Sequence, residues 1–205
     1  MEKILKYYDT TKDKINIFLE INRNNHLYKE RVFFELMFCI SVPQTKAPAT
    51  REAVKKMYDS GILFNGTEQQ ILQGLNSVRF NEAKSKRIVE ARNNFDKIYQ
   101  KINETKQNPF ELRLWLIENI KGIGWKEASH LLRNIGLGED LAMFDIHILR
   151  TMHELGLIND DNSVTGKKYL EYEKIFQELA RNNNIKPAQM DIAIWLMRSG
   201  NNDIM

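Results

Sequence analysis

The chain of 205 residues contains a single cysteine, which excludes an internal disulfide and any four-cysteine zinc or iron–sulfur site. That residue, Cys39, sits in the apolar run Val32-Phe-Phe-Glu-Leu-Met-Phe-Cys-Ile-Ser and reads as a small buried hydrophobe. No apolar stretch approaches the ~20 residues needed to cross a bilayer. Met1–Glu20 is charged throughout, unlike a secretory signal, so a cytoplasmic protein without a membrane partner is expected. No segment alternates cleanly between apolar and polar residues, and no Asn-Gly pair has strand-like flanks, so the β signal is weak. His26, His130, His147 and His153 lack ligand spacing such as i, i+4 and have no cysteines beside them, which argues against a histidine metal site. Internal repeats and low-complexity segments are absent. The excess of one charge sign is small: net +3 with a pI near 8.8 permits a nucleic-acid partner without requiring one.

What is present is helical periodicity in a composition of ordinary globular type, 42% hydrophobic and 28% charged. The length suffices for one larger or two small domains with a real core. An N-terminal helix is predicted over Lys3–Ile21, broken by the Asn-rich residues 22–25. Tyr28–Ile40 reads as a core helix that ends before Pro43, since the residue preceding proline disfavours helix. Pro43-Gln44-Thr45 begins a loop that Thr50 closes as the N-cap of a helix over Arg51–Ser60, stopped by Gly61. Thr67 and Gln70 form a capping-box pattern for a short helix to Leu75. Phe80–Ile102 reads as one long helix with Ile88, Ala91, Phe95 and Ile98 on its apolar side. Asn108, Pro109 and Glu111 supply N-cap, N1 and N3 of the next. Two more helices are predicted at Gly166–Asn182 and Pro187–Ser199. The fold class is therefore all-α.

The chemistry concentrates in residues 118–126, Glu-Asn-Ile-Lys-Gly-Ile-Gly-Trp-Lys, and in Asp145, nineteen positions after Lys126. Gly122 and Gly124 let a helix–turn–helix backbone bend sharply and approach a phosphate oxygen, where the following helix N-terminus adds partial positive charge. Ala128, Leu131, Leu132 and Ile135 make an apolar stripe at i, i+3, i+4, i+7, and Lys126 points roughly away from it, toward solvent or a cleft. Taken alone, a helix lysine is a solvated charge. Asp145, likewise, heads a helix with Ile146, Leu149, Met152 and Leu155 on its apolar side and Gly156 at its end, as a simple N-cap would. Together, a lysine able to form a Schiff base and a carboxylate able to stabilise positive charge point to base removal from DNA.

The motif Gly-Ile-Gly-Trp-Lys-Glu-Ala-Ser-His, with Phe-Asp-Ile-His-Ile-Leu-Arg after it, resembles the helix-hairpin-helix DNA glycosylase superfamily. Within that superfamily it is most similar to the small 8-oxoguanine DNA glycosylase/AP lyases of archaea and some thermophilic bacteria. Phe33-Phe-Glu-Leu-Met-Phe-Cys, Arg87-Ile-Val-Glu-Ala-Arg and Asp191-Ile-Ala-Ile-Trp195 match as well, so the resemblance covers most of the chain. Lys121 departs from the proline that relatives outside this branch carry before the first glycine. The tail Gly200-Asn-Asn-Asp-Ile-Met205 lacks the basic ending of some relatives.

The resemblance implies two helical domains around a cleft, 28–125 as one and 1–27 with 126–205 as the other. It implies that Lys126 attacks the deoxyribose, that Asp145 stabilises the developing charge, and that β-elimination then cuts the strand. Phe80 and Trp195 would sandwich the flipped base and Asp191 would bond its Watson–Crick edge. For Trp195 a core position, and for Asp191 a simple helix-dipole role after Pro187, are the alternatives. Gln44 would fill the gap left in the duplex. Lys121, Gly122, Gly124, Lys84 and Arg87 would contact DNA, although a solvated helix face also explains the basic segment Arg79–Arg92. The backbone carbonyls of Glu118, Ile120 and Ile123 would hold a structural cation, and no cofactor is implied. The expected partner is double-stranded DNA containing 8-oxoguanine, bound by a monomer at the nucleoid of a prokaryotic cell. A glycosylase of this fold for another damaged base, and a non-catalytic helix-hairpin-helix DNA-binding module, are the alternative readings.

Overall fold

The computed structural model describes residues 1–200 and 204, and among them every regular element is helical. The expected C-terminal tail lies mostly outside the described residues, at 201–203 and 205. A first core forms around α2 (Lys29–Ser41), whose Val32, Leu36, Met37, Phe38, Cys39 and Ile40 have no exposed surface. It takes in α3 (Ala47–Asp59), α4 (Ile62–Asn65), α5 (Glu68–Gly74), α6 (Asn81–Asn93), α7 (Phe95–Thr105), α8 (Pro109–Asn119) and α9 (Trp125–Asn134). A second core joins α10 (Ile146–Glu154), α11 (Gly166–Asn182), α12 (Pro187–Ser199) and the start of α1 (Glu2–Asn22). A third, small core packs Ile15 and Leu19 of α1 against Ala188, Ile192, Ala193 and Leu196 of α12. α12 is thus apolar on two sides and buried on both.

The expected division grouped residues from 126 onward with the N-terminal helix. The apolar side of α9 packs into the first core through Ala128, Leu131, Leu132 and Ile135, and the packing changes over between Leu141 and Ala142. The C-terminus of α9 is closed by a 3₁₀ turn at Asn25–Leu27. The His26 N–H donates to the Ile135 carbonyl at 2.9 Å and Asn25 Nδ2 to the Asn134 carbonyl at 3.1 Å, meeting acceptors that a helix end leaves open.

Local differences from the sequence reading have local causes. α3 starts at Ala47, with Pro48 in its first turn, so Thr50 lies inside the helix and bonds the Lys46 carbonyl at 3.1 Å instead of capping. The predicted long helix over 80–102 is two helices. It breaks at Asn94 (φ −103°, ψ 7°), whose side-chain amide donates to the Glu90 carbonyl. The capping box at Thr67 and Gln70 is formed, and Asn108 caps α8.

The cores are joined by a buried ion pair. Arg113 of α8 and Glu173 of α11 are 1% and 3% exposed and make two parallel bonds of 2.6 Å. Glu173 Oε1 also accepts the Ala142 N–H at 2.9 Å, and Arg113 reaches Ser129 Oγ of α9 at 3.2 Å. Tyr169 of α11 donates to the Ala142 carbonyl at 2.6 Å, and its hydroxyl lies 3.3 Å from Ser129 Oγ. Replacing one partner would strand the other charge in a dry interior. Glu173→Gln is expected to cost about 3–5 kcal/mol of unfolding free energy, read from urea denaturation at neutral pH. A loss under about 1 kcal/mol would mean that the arginine finds other compensation.

Candidate active site

A cleft of ≈ 1620 Å³ runs between the first core and the other two. One wall is the loop after α2, residues Pro43 to Ala49, together with Ser77 and Arg79. The floor is α9 through Lys126, His130 and Arg133. The far wall comprises residues Met143 to His147 and Ile192, Trp195 and Arg198 of α12. Lys126, Asp145, Trp195 and Gln44, expected to act together, all line this one space.

Lys126 is in the first turn of α9, one residue after Trp125. Trp125 anchors the turn: its ring packs 5.1 Å from that of Tyr169 and lies 5.2 Å from the Arg113 guanidinium. Lys126 therefore points away from the core, with its side chain 36% exposed and its amine 3.9 Å from Glu127 Oε1. The turn that leads into the helix is made at Gly122, which takes φ +91°, the left-handed region open to glycine. A Cβ on Gly122 would stand 2.8 Å from Arg87 Cδ, so Arg87 lies directly against the hairpin. Gly124 has φ −103°, which other residues adopt, so the required turn belongs to Gly122. Among the described residues the N–H groups of Gly122, Gly124, Trp125, Lys126 and Glu127 bond to nothing, and α9 has no side-chain cap. Such a set of free donors is suited to an anion.

Asp145 is the N-cap of α10, and its Oδ1 accepts from the N–H groups of His147 (2.8 Å) and Ile148 (3.0 Å). These bonds fix the carboxylate at the cleft edge. The preceding segment is held at Ala142 and Phe144 by Tyr169 and Glu173; Tyr169 also meets Ser129 of α9, and Glu173 reaches it through Arg113. One buried network therefore sets both the helix of Lys126 and the approach to Asp145.

Other expected site residues lie elsewhere. Asp191 is fully buried behind the cleft wall, not on it. Its nearest cation is Arg133, with Nη1 3.6 Å from Oδ2, and neither carboxylate oxygen has a hydrogen-bond partner. Burial, with the Asp145 carboxylate nearby, pushes its carboxyl up to about 7, against the pull of Arg133 and of the Met143 backbone N–H, which faces it outside full hydrogen-bond geometry. Phe80 is 56% exposed, takes φ +58° and lies under Arg79 (5.4 Å), outside the cleft lining. Lys84 is not a surface phosphate contact: it is 1% exposed, and its amine donates to the Pro43 carbonyl and to Thr45 Oγ1. Lys84 follows the apolar stripe of Ile88 and Ala91 at i, i+4, i+7, which turns it inward. Lys121 is exposed and pairs with Glu90 at 2.9 Å. Of the expected cation ligands, the Ile120 carbonyl accepts the Ile123 N–H (3.2 Å), whereas those of Glu118 and Ile123 accept no hydrogen bond among the described residues.

Sequence reasoning missed Arg133 and His130 on the floor and the Arg113–Glu173–Tyr169 network beneath it. His130 is buried with Nε2 unpartnered, and burial holds its pKa well below the usual value, so it is neutral. Glu173 carried a signal: with Tyr169 and Phe176 it forms an i, i+4, i+7 stripe in which a charge stands among apolar neighbours.

Comparison with known proteins agrees with this geometry. A family model described as 8-oxoguanine DNA glycosylase matches residues 11–185. An 8-oxoguanine DNA glycosylase/AP lyase of Fusobacterium nucleatum is 34% identical over 98% of this chain and 94% of its own. One from Methanocaldococcus jannaschii is 36% identical over 83% of this chain and 82% of its own. The crystal structure of the Thermotoga maritima 8-oxoguanine DNA glycosylase superposes with a TM-score of 0.89 at 29% identity, covering 99% of this chain and 97% of that one. The M. jannaschii glycosylase/lyase in complex with a 15mer DNA containing 8-oxoguanine superposes with a TM-score of 0.88 at 30% identity over the whole of both chains. A hairpin with free N–H donors, a lysine and a capped aspartate on one cleft, and relatives matched along nearly their full length lead to one assignment: the chain belongs to the 8-oxoguanine DNA glycosylase/AP lyase family, of the archaeal and thermophile type.

Proposed function

We propose that the cleft receives an 8-oxoguanine nucleotide turned out of duplex DNA, and that Lys126 and Asp145 remove the base and then cut the strand. The observation that carries this reading is that the two residues, on helices from different cores, line the same open space. A base within a duplex is out of reach, so eversion comes first. The uncharged Lys126 amine then bonds to C1′ as the bond to the base breaks and the base leaves with a proton. Asp145 stabilises the positive charge on the sugar at that moment and helps move protons. The resulting Schiff base acidifies C2′; loss of that proton expels the 3′-phosphate, which is the lyase step.

The supporting roles follow from position. Trp195 offers an aromatic face to the everted base. Phe80 supplies the other face if the segment before α6 closes over the cleft. Asp191 reaches the Watson–Crick edge once the wall at Met143 and Ile192 moves aside. The free hairpin N–H groups take a phosphate, assisted by Arg87 and by Lys121 on release from its weak surface pair with Glu90. The Glu118, Ile120 and Ile123 carbonyls are hard oxygen donors suited to a structural cation beside that phosphate. The two lobes meet at α9, which packs in the first core while facing the other side. Both reactive groups come from one chain, so we read the enzyme as a monomer acting on cytoplasmic DNA. Among the described residues no helix is long and apolar enough to cross a membrane.

Borohydride reduction during turnover of an 8-oxoguanine duplex is expected to trap a covalent protein–DNA adduct. Lys126→Gln should abolish the adduct while DNA binding persists; an adduct in that variant would remove Lys126 as the nucleophile. Asp145→Asn should slow single-turnover base release by roughly 10²–10⁴-fold. Its stability should be kept, because asparagine still caps α10. Robust excision of thymine glycol with none of 8-oxoguanine would transfer the reading to another lesion.

Asp191 gives a test by pH. A carboxyl whose pKa is raised on folding contributes stability that is full below about pH 4 and is lost as pH rises to about 7. Asp191→Asn lacks this dependence, so its stability relative to the parent should improve by roughly 4 kcal/mol between those limits and hold constant above them. Parallel stability curves in urea across that range would show that Asp191 ionises normally.

A further inference from the structure

The loop between α2 and α3 places Gln44 at the cleft, exposed, with φ +58°. That region is unfavourable for glutamine, which lacks the short side chain that lets asparagine and aspartate settle there. Something must hold the turn. Lys84 enters from α6, and its amine donates at 2.8 Å to the carbonyl of Pro43 and at 3.0 Å to Oγ1 of Thr45. The two acceptors flank Gln44 on either side. Thr45 closes the turn further: its N–H donates to the Val42 carbonyl at 3.1 Å, and its Oγ1 to the Pro43 carbonyl at 3.3 Å.

The choice of a lysine here is costly on stability grounds alone. Lys84 is 1% exposed and, among the described residues, no carboxylate pairs with its amine. Burial, with Arg87 and Arg79 nearby, lowers its pKa to about 8. A methionine of similar length would pack in the same place without the desolvation penalty. What the amine adds is a fixed geometry for the loop between its two acceptors.

We propose that Lys84 is a positioning residue that holds Gln44 in its left-handed conformation, so that the amide is presented ready to enter the space vacated by the everted nucleotide. This rests on the reading above, in which Gln44 fills that space. Lys84 then acts on eversion and its persistence, while the chemistry at Lys126 is left alone. Its role is needed when a complementary strand competes for the lesion, and falls away when the lesion is in a single strand.

The test compares Lys84→Met, Thr45→Val and Gln44→Ala with the parent in single-turnover excision and borohydride trapping. The substrates are an 8-oxoguanine:cytosine duplex and the same strand alone. Lys84→Met and Gln44→Ala should each slow the duplex reaction tenfold or more, and Thr45→Val about threefold. Lys84→Met and Thr45→Val should keep the single-strand rate within twofold. Lys84→Met combined with Gln44→Ala should be no slower than Gln44→Ala alone, since both act through one side chain. In a Lys126→Gln background, 2-aminopurine beside the lesion reports unstacking directly, and Lys84→Met should reduce its fluorescence rise on binding duplex. Equal losses on both substrates, or multiplying effects in the double variant, would make Lys84 merely structural and overturn the proposal, as would an unchanged 2-aminopurine signal. A normal duplex rate in Gln44→Ala would instead defeat the gap-filling role of Gln44. Absence of any trapped adduct with the parent would defeat the glycosylase reading itself. Should Lys84→Met unfold, Thr45→Val carries the same comparison with a milder change.

Discussion

A charge buried between helices has to be matched, and matching Arg113 organises this protein. The guanidinium lies in a dry space beside Trp125 and Tyr169, where an unpaired cation would cost several kcal/mol. Glu173 supplies the counter-charge, and its Oε1 also accepts the Ala142 N–H. Ser129 and Tyr169 complete the arrangement. Satisfying one ion pair thus fixes α8, α9, α11 and the segment entering α10 with respect to one another. Lys126 and Asp145 stand on two of those elements. Their common cleft is a consequence of how a buried salt bridge is hydrogen-bonded.

A second polar chain runs under the cleft and is left incomplete. Arg51 pairs with Glu35, Glu35 accepts from Asn134, Asn134 accepts from Arg133, and Arg133 stands 3.6 Å from Asp191. Every member has a well-formed hydrogen bond except Asp191, whose oxygens meet only the Met143 backbone N–H, outside full hydrogen-bond geometry. Buried polar groups are seldom left so, and those that are usually mark a place where structure and function compete. The protein holds this carboxyl close to neutrality by burial and keeps it one layer behind the surface that a base would touch.

Much of the site was legible because its determinants are local. The turn at Gly122 needs only the absence of a Cβ, and the cap at Asp145 needs only a carboxylate two and three residues before free N–H groups. Lys126 was recognisable from its angle to the stripe of Ala128, Leu131, Leu132 and Ile135. What local patterns did not give is burial. Lys84 was counted as surface charge because a lysine is usually exposed, yet its stripe with Ile88 and Ala91 said otherwise. Its acceptors are 41 and 39 residues away, and no local pattern announces them. Asp191 sits one turn before Trp195 on α12, but that helix is buried on two sides, so sharing a face with Trp195 did not bring it to the cleft.

By itself the amino-acid sequence determined most of the helices, the caps at Thr67, Asn108 and Asp145, and the hairpin, because each depends on hydrogen bonds and side-chain spacing within a few residues. It also carried the family, through the run from Gly122 to His130 and the segment Phe144 to Arg150. Only the tertiary structure decided which charges are buried, which of them are paired, and which aromatic and polar side chains border the cleft. Burial and pairing arise when segments far apart in the chain exclude water together, and that exclusion has no counterpart in a linear reading.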